Sequence, residues 1–116
     1  MKCGVQYTDE FGEWWSDLDD GEQESVASCV NLLEARGVTL DYPYSSSIEG
    51  SRHSHMRELR IQHCGNPYRV LYAFDPGRAA VLLIGGCKTG NDRWYEEYVP
   101  IADRIYDDHV RYLKRS

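Results

Sequence analysis

The chain has 116 residues, of which 41% are hydrophobic and 28% charged, values typical of one globular domain. No apolar run approaches the roughly 20 residues that a membrane-spanning helix needs, and the segment Met1-Lys2-Cys3-Gly4 carries no apolar signal region. We therefore expect a single domain, residues 1–116, that is soluble, cytoplasmic and independent of membranes.

The charge is distributed unevenly along the chain. The formal net charge of −6 argues at first against a nucleic-acid partner. Residues 1–51 hold two basic and eleven acidic groups, net −9, whereas residues 52–93 hold seven basic and three acidic groups, net +4. Three of the four histidines also lie in residues 52–93, which we call the basic segment. An anionic partner such as RNA is therefore compatible with the acidic total.

The cysteines give no sign of a disulfide framework, because they are widely spaced and form no CxxC pair. They are Cys3, Cys29, Cys64 and Cys87. Reduced thiols are the better interpretation. His63-Cys64, with His53 and His55 nearby in sequence, fits no common spacing of zinc ligands. We therefore expect neither a metal ion nor another cofactor.

The first third of the chain predicts one strand and two helices. Val5 and Tyr7 indicate a short strand. Apolar residues at helical spacing then predict a first helix with Thr8 or Asp9 as its cap; they are Phe11, Trp14, Trp15 and Leu18. The segment 20–23 resembles a capping box and Gly37 is a stop signal for a second helix. Its apolar stripe consists of Val26, Cys29, Val30 and Leu33.

The middle of the chain predicts a loop and then strands. The polar segment 42–47 is expected to be a loop. From Met56 onward the period of the pattern is two, so Leu59 and Ile61 share one face and Glu58 and Arg60 share the other. Arg60 should therefore point away from the side of the strand that packs against the helices.

Two more strands and a helix are predicted in the rest of the chain. Residues 63–67 form a turn, and residues 68–74 form a strand that ends at a Pro-Gly turn. Residues 79–84 predict a central strand that ends at Gly85-Gly86. A last helix is expected beyond Pro100. The order β-α-α-β-β-β-α predicts an α+β fold with helices against one antiparallel sheet.

Three segments, in this order and spacing, resemble one known family. They are Ile48–Ser51 leading to Met56–Arg60, then Tyr68–Asp75, and finally Leu82–Gly90 with Arg93-Trp94-Tyr95. Together with Phe11 and Trp15 they extend the similarity over nearly the whole chain. The sequence resembles the phage-derived, HigB-like toxins of the RelE/ParE superfamily. One position departs from the pattern, since Cys87 stands where an acidic residue is expected.

The resemblance implies a fold and a function. The expected RelE-like fold has two N-terminal helices packed on a small twisted antiparallel sheet, a C-terminal helix and a concave, positively charged face. The expected function is that of the toxin of a type II toxin–antitoxin system, a metal-independent, ribosome-dependent endoribonuclease that cleaves mRNA and inhibits translation. The expected partners are mRNA and a helix-turn-helix antitoxin encoded by the adjacent gene, through which alone the toxin would meet operator DNA.

Metal-free RNA cleavage needs cations around the phosphate and groups that move protons. We assign Arg69 to the scissile phosphate and Lys88 to charge stabilisation or general acid catalysis. The resemblance places Tyr95 across the site as a proton acceptor or as an orienting and stacking group. His53 and His55 are rival proton carriers. Expected RNA-binding residues are Arg57, Arg60, Arg93 and His55.

Simpler interpretations remain open. Arg57 and Arg60 could belong to a solvated strand face paired with Glu58, and Trp94 and Tyr95 could close the core. His109 on an apolar helical stripe is expected to be structural. Two other functions also remain: a ParE-like binder that inhibits DNA gyrase without catalysis, and an inactive prophage remnant that binds only its antitoxin.

Overall fold

The computed structural model describes residues 2–115, which form a five-stranded sheet with helices packed on both faces. The elements are β1 (Val5–Tyr7), α1 (Asp9–Ser16), α2 (Asp20–Arg36), β2 (Ser45–Ser47), β3 (Arg57–His63), β4 (Asn66–Phe74), β5 (Ala80–Cys87) and α3 (Trp94–Arg115). The strand order is β1-β5-β4-β3-β2. The α+β class is as predicted.

The sheet is mixed rather than purely antiparallel, which corrects the prediction. β1 pairs in parallel with β5, whereas the β2–β3, β3–β4 and β4–β5 pairs are antiparallel. Short turns between consecutive strands force antiparallel pairing, and the sequence pattern shows such turns. β1 and β5 are far apart in the chain, so no local signal sets their relative direction.

The first two helices begin at capped residues. The Thr8 side chain accepts a hydrogen bond from the backbone N–H of Phe11. Thr8 is therefore the cap of α1, and it is one of the two residues predicted for this position. The second helix has a capping box formed by Asp19 and Glu22, one residue before the predicted position. It ends at Gly37, whose φ of 56° lies in the left-handed region that glycine tolerates.

A strand replaces part of the predicted loop at residues 42–47. β2 pairs with β3 at the edge of the sheet, with Ser46 opposite Glu58. Three serines carry no apolar alternation, so this strand has no signature of its own in the sequence. The backbone of β3 supplies its hydrogen-bonding partner, and tertiary structure alone defines the element.

The glycine pair lies inside β5 and does not end it, so the predicted strand end at Gly85-Gly86 is wrong. A Cβ at Gly85 would lie 2.4 Å from ring atoms of Trp14, and one at Gly86 would lie 2.7 Å from Nε1 of Trp94. Because glycine has no side chain, an indole ring can pack directly on each face of the strand at this point. The glycines therefore mark close packing, and the strand continues to Cys87.

The last helix begins six residues before Pro100, which is also a correction. Its first residue, Trp94, is 1% exposed and stacks on Tyr98 with ring centroids 4.5 Å apart. Proline removes one intrahelical hydrogen bond. Burial of the aromatic residues on the sheet offsets this loss, so the helix includes the proline.

Two apolar clusters lie on opposite faces of the sheet. The first joins residues of α1 and α2 to alternate residues of β3, β4 and β5, among them the predicted pair Leu59 and Ile61. The second joins α3 to the other face, which includes Leu71 and Leu83. α3 packs on β5 and β4, and the polar residues of β3 lie beside it. No helix within residues 2–115 is long and apolar enough to cross a membrane.

Candidate functional site

Polar side chains gather on the α3 face of the sheet, where β3 and β4 pair. Arg60 lies directly opposite Arg69, and Glu58 lies opposite Leu71, which belongs to the α3 cluster. Since residues paired across two strands share a face, Glu58, Arg60 and Arg69 point toward α3 and away from α1 and α2. Arg60 therefore points away from α1 and α2 as predicted, but toward α3, because helices pack on both faces of the sheet.

Glu58 is the centre of this group, with 4% of its surface exposed. Its Oε1 accepts a hydrogen bond from the Tyr95 hydroxyl at 2.5 Å. Its Oε2 accepts one from Ser46 Oγ at 2.6 Å and one from Arg60 Nη1 at 3.0 Å. Arg69 Nε lies 3.4 Å from Oε1, a close ion pair without good hydrogen-bond alignment. Four side chains from three strands and a helix therefore converge on one carboxylate.

Lys88 lies above Tyr95 at the end of β5. Its Nζ is 3.3 Å from the Tyr95 hydroxyl and 4.5 Å from the ring centroid, a cation–π contact. Its backbone N–H donates to the carbonyl of Pro67 at 2.8 Å, which fixes the start of the loop after the strand. The side chain is half-buried. Lys88 and Tyr95, two of the predicted site residues, are thus in direct contact.

The site shifts the pKa values of Lys88 and Tyr95 in opposite directions. Burial, followed by the charge of Arg69, lowers the pKa of Lys88, although Glu58 opposes the shift. Burial, followed by the hydrogen bond to Glu58, raises the pKa of Tyr95. At neutral pH Tyr95 is therefore a neutral phenol, which donates a hydrogen bond to Glu58 and is a poor proton acceptor.

The arginines of the site lie at different depths. Arg69 is 5% exposed and its Nη1 donates to the carbonyl of Tyr68 at 3.0 Å. The side chain of Arg60 is 29% exposed and lies over the ring of Tyr42 at 5.2 Å. Arg60 can therefore meet a ligand directly, whereas Arg69 contributes positive charge from beneath the surface. Together with Lys88 they place three cations around one carboxylate.

Three of the expected RNA-binding residues lie outside this group. Arg57 is on the opposite face, where its Nε donates to Ser45 Oγ at 3.0 Å. Arg93 is exposed and pairs with Glu96 at 3.0 Å in the first turn of α3. His55 contacts the hydroxyl of Tyr106 at 3.1 Å, eleven helical residues or ~17 Å along α3 from Tyr95.

None of the four histidines reaches the site. His53 pairs with Asp107 at 2.8 Å and contacts the ring of Tyr106, close to His55. His63 contacts Ser25 at 2.9 Å at the far end of β3, roughly 20 Å from its start. The predicted rival proton carriers, His53 and His55, are therefore remote from Lys88. His109 pairs with Asp75 at 2.9 Å.

Hydrogen bonds between small side chains organise the loop at Cys87. Its Sγ lies 3.2 Å from Thr89 Oγ1, which in turn donates to Asn66 Oδ1 at 3.0 Å. These contacts connect the end of β5 to the beginning of β4. The thiol and the Thr89 hydroxyl thus occupy the place where the family pattern predicts an acidic side chain.

Sequence reasoning missed two residues of the site, Glu58 and Ser46. Glu58 was considered only as a surface partner of arginines, and Ser46 was assigned to a loop. A signal for Glu58 was available, because strand alternation places it on the face of Arg60 and a buried arginine requires a nearby anion. No comparable signal exists for Ser46, since its position depends on the pairing of β2.

Comparisons with known proteins show the family of this chain. The family described as phage-derived protein Gp49-like matches residues 13–107. HigB3 of Mycobacterium tuberculosis, named as a toxin, is 42% identical over 92 residues, covering 78% of this chain and 79% of its own length. HigB2 of the same organism, also named as a toxin, is 37% identical over 99 residues, covering 84% of this chain but 49% of HigB2.

Solved structures show the same fold at low sequence identity. A mutant of Escherichia coli toxin RelE in the free state aligns with a TM-score of 0.60 at 10% identity, over 83% of this chain and 94% of RelE. The archaeal RelE–RelB complex from Pyrococcus horikoshii OT3 aligns with a TM-score of 0.56 at 15% identity, over 78% of this chain and 99% of the matched chain. These alignments define a RelE-like fold.

The protein is therefore of the RelE-like class. Within that class, the chain belongs to the phage-derived Gp49-like family and is a HigB-like toxin.

Proposed function

We propose that this toxin is an endoribonuclease that cleaves mRNA on the ribosome without a metal ion, in the cytoplasm where mRNA is translated. The observation that carries the proposal is the contact between Lys88 and Tyr95 beside the accessible guanidinium of Arg60. In transesterification of RNA, a cation of lowered pKa can protonate the departing 5′-oxygen and an accessible arginine can hold a phosphate oxygen.

The proposed reaction proceeds by attack of the neighbouring 2′-hydroxyl on phosphorus. The O2′–P bond forms, the P–O5′ bond breaks, and the products carry a 2′,3′-cyclic phosphate and a free 5′-hydroxyl. Lys88 gives a proton to the departing 5′-oxygen, and water accepts the proton of the 2′-hydroxyl. Arg60 holds a phosphate oxygen, while the buried charge of Arg69 stabilises the transition state from below. Tyr95 orients the RNA and stacks against a base.

The proposed partner is an antitoxin with a helix-turn-helix domain, encoded by the adjacent gene, and the toxin meets operator DNA only through it. The RelE of the Pyrococcus structure is bound to RelB, which supports a protein partner for this fold. Arg60 and Lys88 form the accessible positive surface of the site, so we expect an acidic antitoxin segment to cover them. A complex that leaves both residues exposed would contradict this part of the proposal.

Single-turnover cleavage on programmed ribosomes tests the proposed activity. We expect wild-type protein that has been stripped of metal with EDTA and freed of the chelator to cleave normally, and Lys88→Ala and Tyr95→Phe to react on the order of 10²-fold more slowly, with unchanged circular dichroism. A 5′-phosphate product, or loss of cleavage in the stripped wild-type protein, would refute the mechanism. Normal translation together with loss of supercoiling in cells would instead support gyrase inhibition.

A further inference from the structure

We propose that Glu58 is a positioning residue of this site, which fixes the orientation of Tyr95 and holds the guanidinium groups of Arg60 and Arg69 in place. The inference rests on the proposed ribonuclease function for its catalytic consequence. The interaction of Glu58 with Tyr95 is inferred from their contacts and does not depend on that function.

The burial of Glu58 indicates a carboxyl group held by specific protein donors rather than a surface ion pair. A carboxylate that is 4% exposed loses nearly all of its hydration, which is costly unless protein donors replace the water. Ser46, Tyr95 and Arg60 donate to its two oxygens, and Arg69 adds a second positive charge. These contacts satisfy both oxygens of the carboxyl group, so Glu58 remains in one position.

Glu58 determines which way the Tyr95 hydroxyl points. The phenolic proton is directed at Oε1 over 2.5 Å, so the lone pairs of the phenolic oxygen face away from the carboxylate. Lys88 Nζ donates to the same oxygen over 3.3 Å. The three residues therefore form a directed chain in which Lys88 donates to Tyr95 and Tyr95 donates to Glu58. These hydrogen bonds hold the ammonium group of Lys88 in the site.

Glu58 also separates two like charges. Arg60 and Arg69 are directly opposite each other on β3 and β4, an arrangement that is destabilising for two cations. The carboxylate lies between them, 3.0 Å from Arg60 and 3.4 Å from Arg69. Without it the more exposed Arg60 would turn toward solvent. Glu58 thus keeps a phosphate-binding arginine at the surface of the site and another beneath it.

The role of Glu58 is indirect, because its oxygens are already occupied by protein donors. RNA that contacts Lys88, Tyr95 and Arg60 meets a carboxylate that is 4% exposed and already accepts hydrogen bonds from the hydroxyls of Tyr95 and Ser46. Glu58→Gln keeps the size of the side chain and removes the charge. It should therefore lower kcat more than it raises KM, since the RNA-binding groups remain while their alignment is lost.

The test combines a direct measurement of Tyr95 with a measurement of cleavage. In protein labelled with carbon-13 at tyrosine Cζ, with the resonance assigned by Tyr95→Phe, wild-type Tyr95 should titrate above the pH of a free tyrosine. In Glu58→Gln it should titrate at lower pH, because the anion that disfavours ionisation is gone. Cleavage by Glu58→Gln on programmed ribosomes should fall on the order of 10²-fold.

A matched control lies on the other face of the sheet, where Tyr68 donates to Glu22 at 2.6 Å. Tyr68→Phe breaks a similar tyrosine–glutamate bond and should leave both the Tyr95 titration and cleavage unchanged. Unchanged titration of Tyr95 in folded Glu58→Gln would overturn the proposal. Titration of Tyr95 in the wild-type protein at a lower pH than free tyrosine would also overturn it. That measurement does not require a variant to fold. If the wild-type protein does not cleave RNA, only the ribonuclease function is refuted. The titration of Tyr95 would still show whether Glu58 controls Tyr95.

Discussion

Arg57 and Arg60 project from opposite faces of β3, because they are three residues apart and side chains alternate along a strand. Arg57 donates to Ser45 on the side of α1 and α2, whereas Arg60 pairs with Glu58 on the side of α3. Because Lys88 and Tyr95 lie on the side of Arg60, only this arginine can share a phosphate with them. The two residues therefore form a natural pair for testing which face binds RNA.

We expect Arg60→Ala to weaken RNA binding and Arg57→Ala to leave it unchanged. Loss of one phosphate contact should also reduce the slope of log affinity against log salt by about 0.7 for single-stranded RNA. Affinity measured by fluorescence anisotropy at several salt concentrations checks both effects. Equal losses in the two variants would mean that RNA contacts the edge of the sheet rather than the α3 face.

Arg69→Ala is expected to destabilise the fold as well as the site. Arg69 is 5% exposed and pairs with Glu58, so its removal leaves a buried carboxylate with one cation fewer. Breaking a buried ion pair costs about 3 kcal/mol. Arg111→Ala removes the exposed pair with Asp108 and should change stability by less than about 1 kcal/mol. Urea unfolding measures both, and similar midpoints would show that Arg69 is not paired as described.

Gly85→Ala and Gly12→Ala should have different effects on stability. A Cβ at Gly85 would overlap the Trp14 ring at 2.4 Å, so the ring must move and we expect a loss of about 2 kcal/mol. A Cβ at Gly12 in α1 would meet Tyr7 at an ordinary 3.8 Å. Alanine there should add up to ~1 kcal/mol through helix propensity. Thermal unfolding of the two variants checks the prediction, and a stable Gly85→Ala protein would contradict the packing of Trp14 on β5.

The stability of the protein should decline at alkaline pH, in part because of Cys29. Burial raises the pKa of its thiol from 9.0 to about 11. Since the folded state disfavours the thiolate, this contribution is complete below the unfolded pKa and is lost as pH rises through the folded pKa. Cys29→Ala should therefore lose less stability than wild type between about pH 8 and about pH 11. Parallel declines in the two proteins, measured by urea unfolding, would contradict the assignment.

Several features of the fold could be predicted because their causes are local. Helical spacing and capping residues defined α1 and α2, and alternation placed Leu59 and Ile61 on the helix face of β3. The same alternation separates Arg57 from Arg60, so the grouping of both arginines as RNA-binding residues overlooked a signal in the sequence.

Tertiary structure decided the rest, for two physical reasons. Contacts between distant segments have no local pattern, so β2, the parallel pairing of β1 and the packing of indoles on Gly85-Gly86 were beyond sequence periodicity. Ionisation depends on surroundings in three dimensions. From the resemblance, Tyr95 was expected to act as a proton acceptor or as an orienting and stacking group. In the folded protein Tyr95 is half-buried and donates to Glu58, and burial with an adjacent anion raises its pKa. The cationic residues and the tyrosine of the site were thus evident in the sequence, while Glu58, Ser46 and the alignment of the side chains depend on the depth at which the fold places each residue.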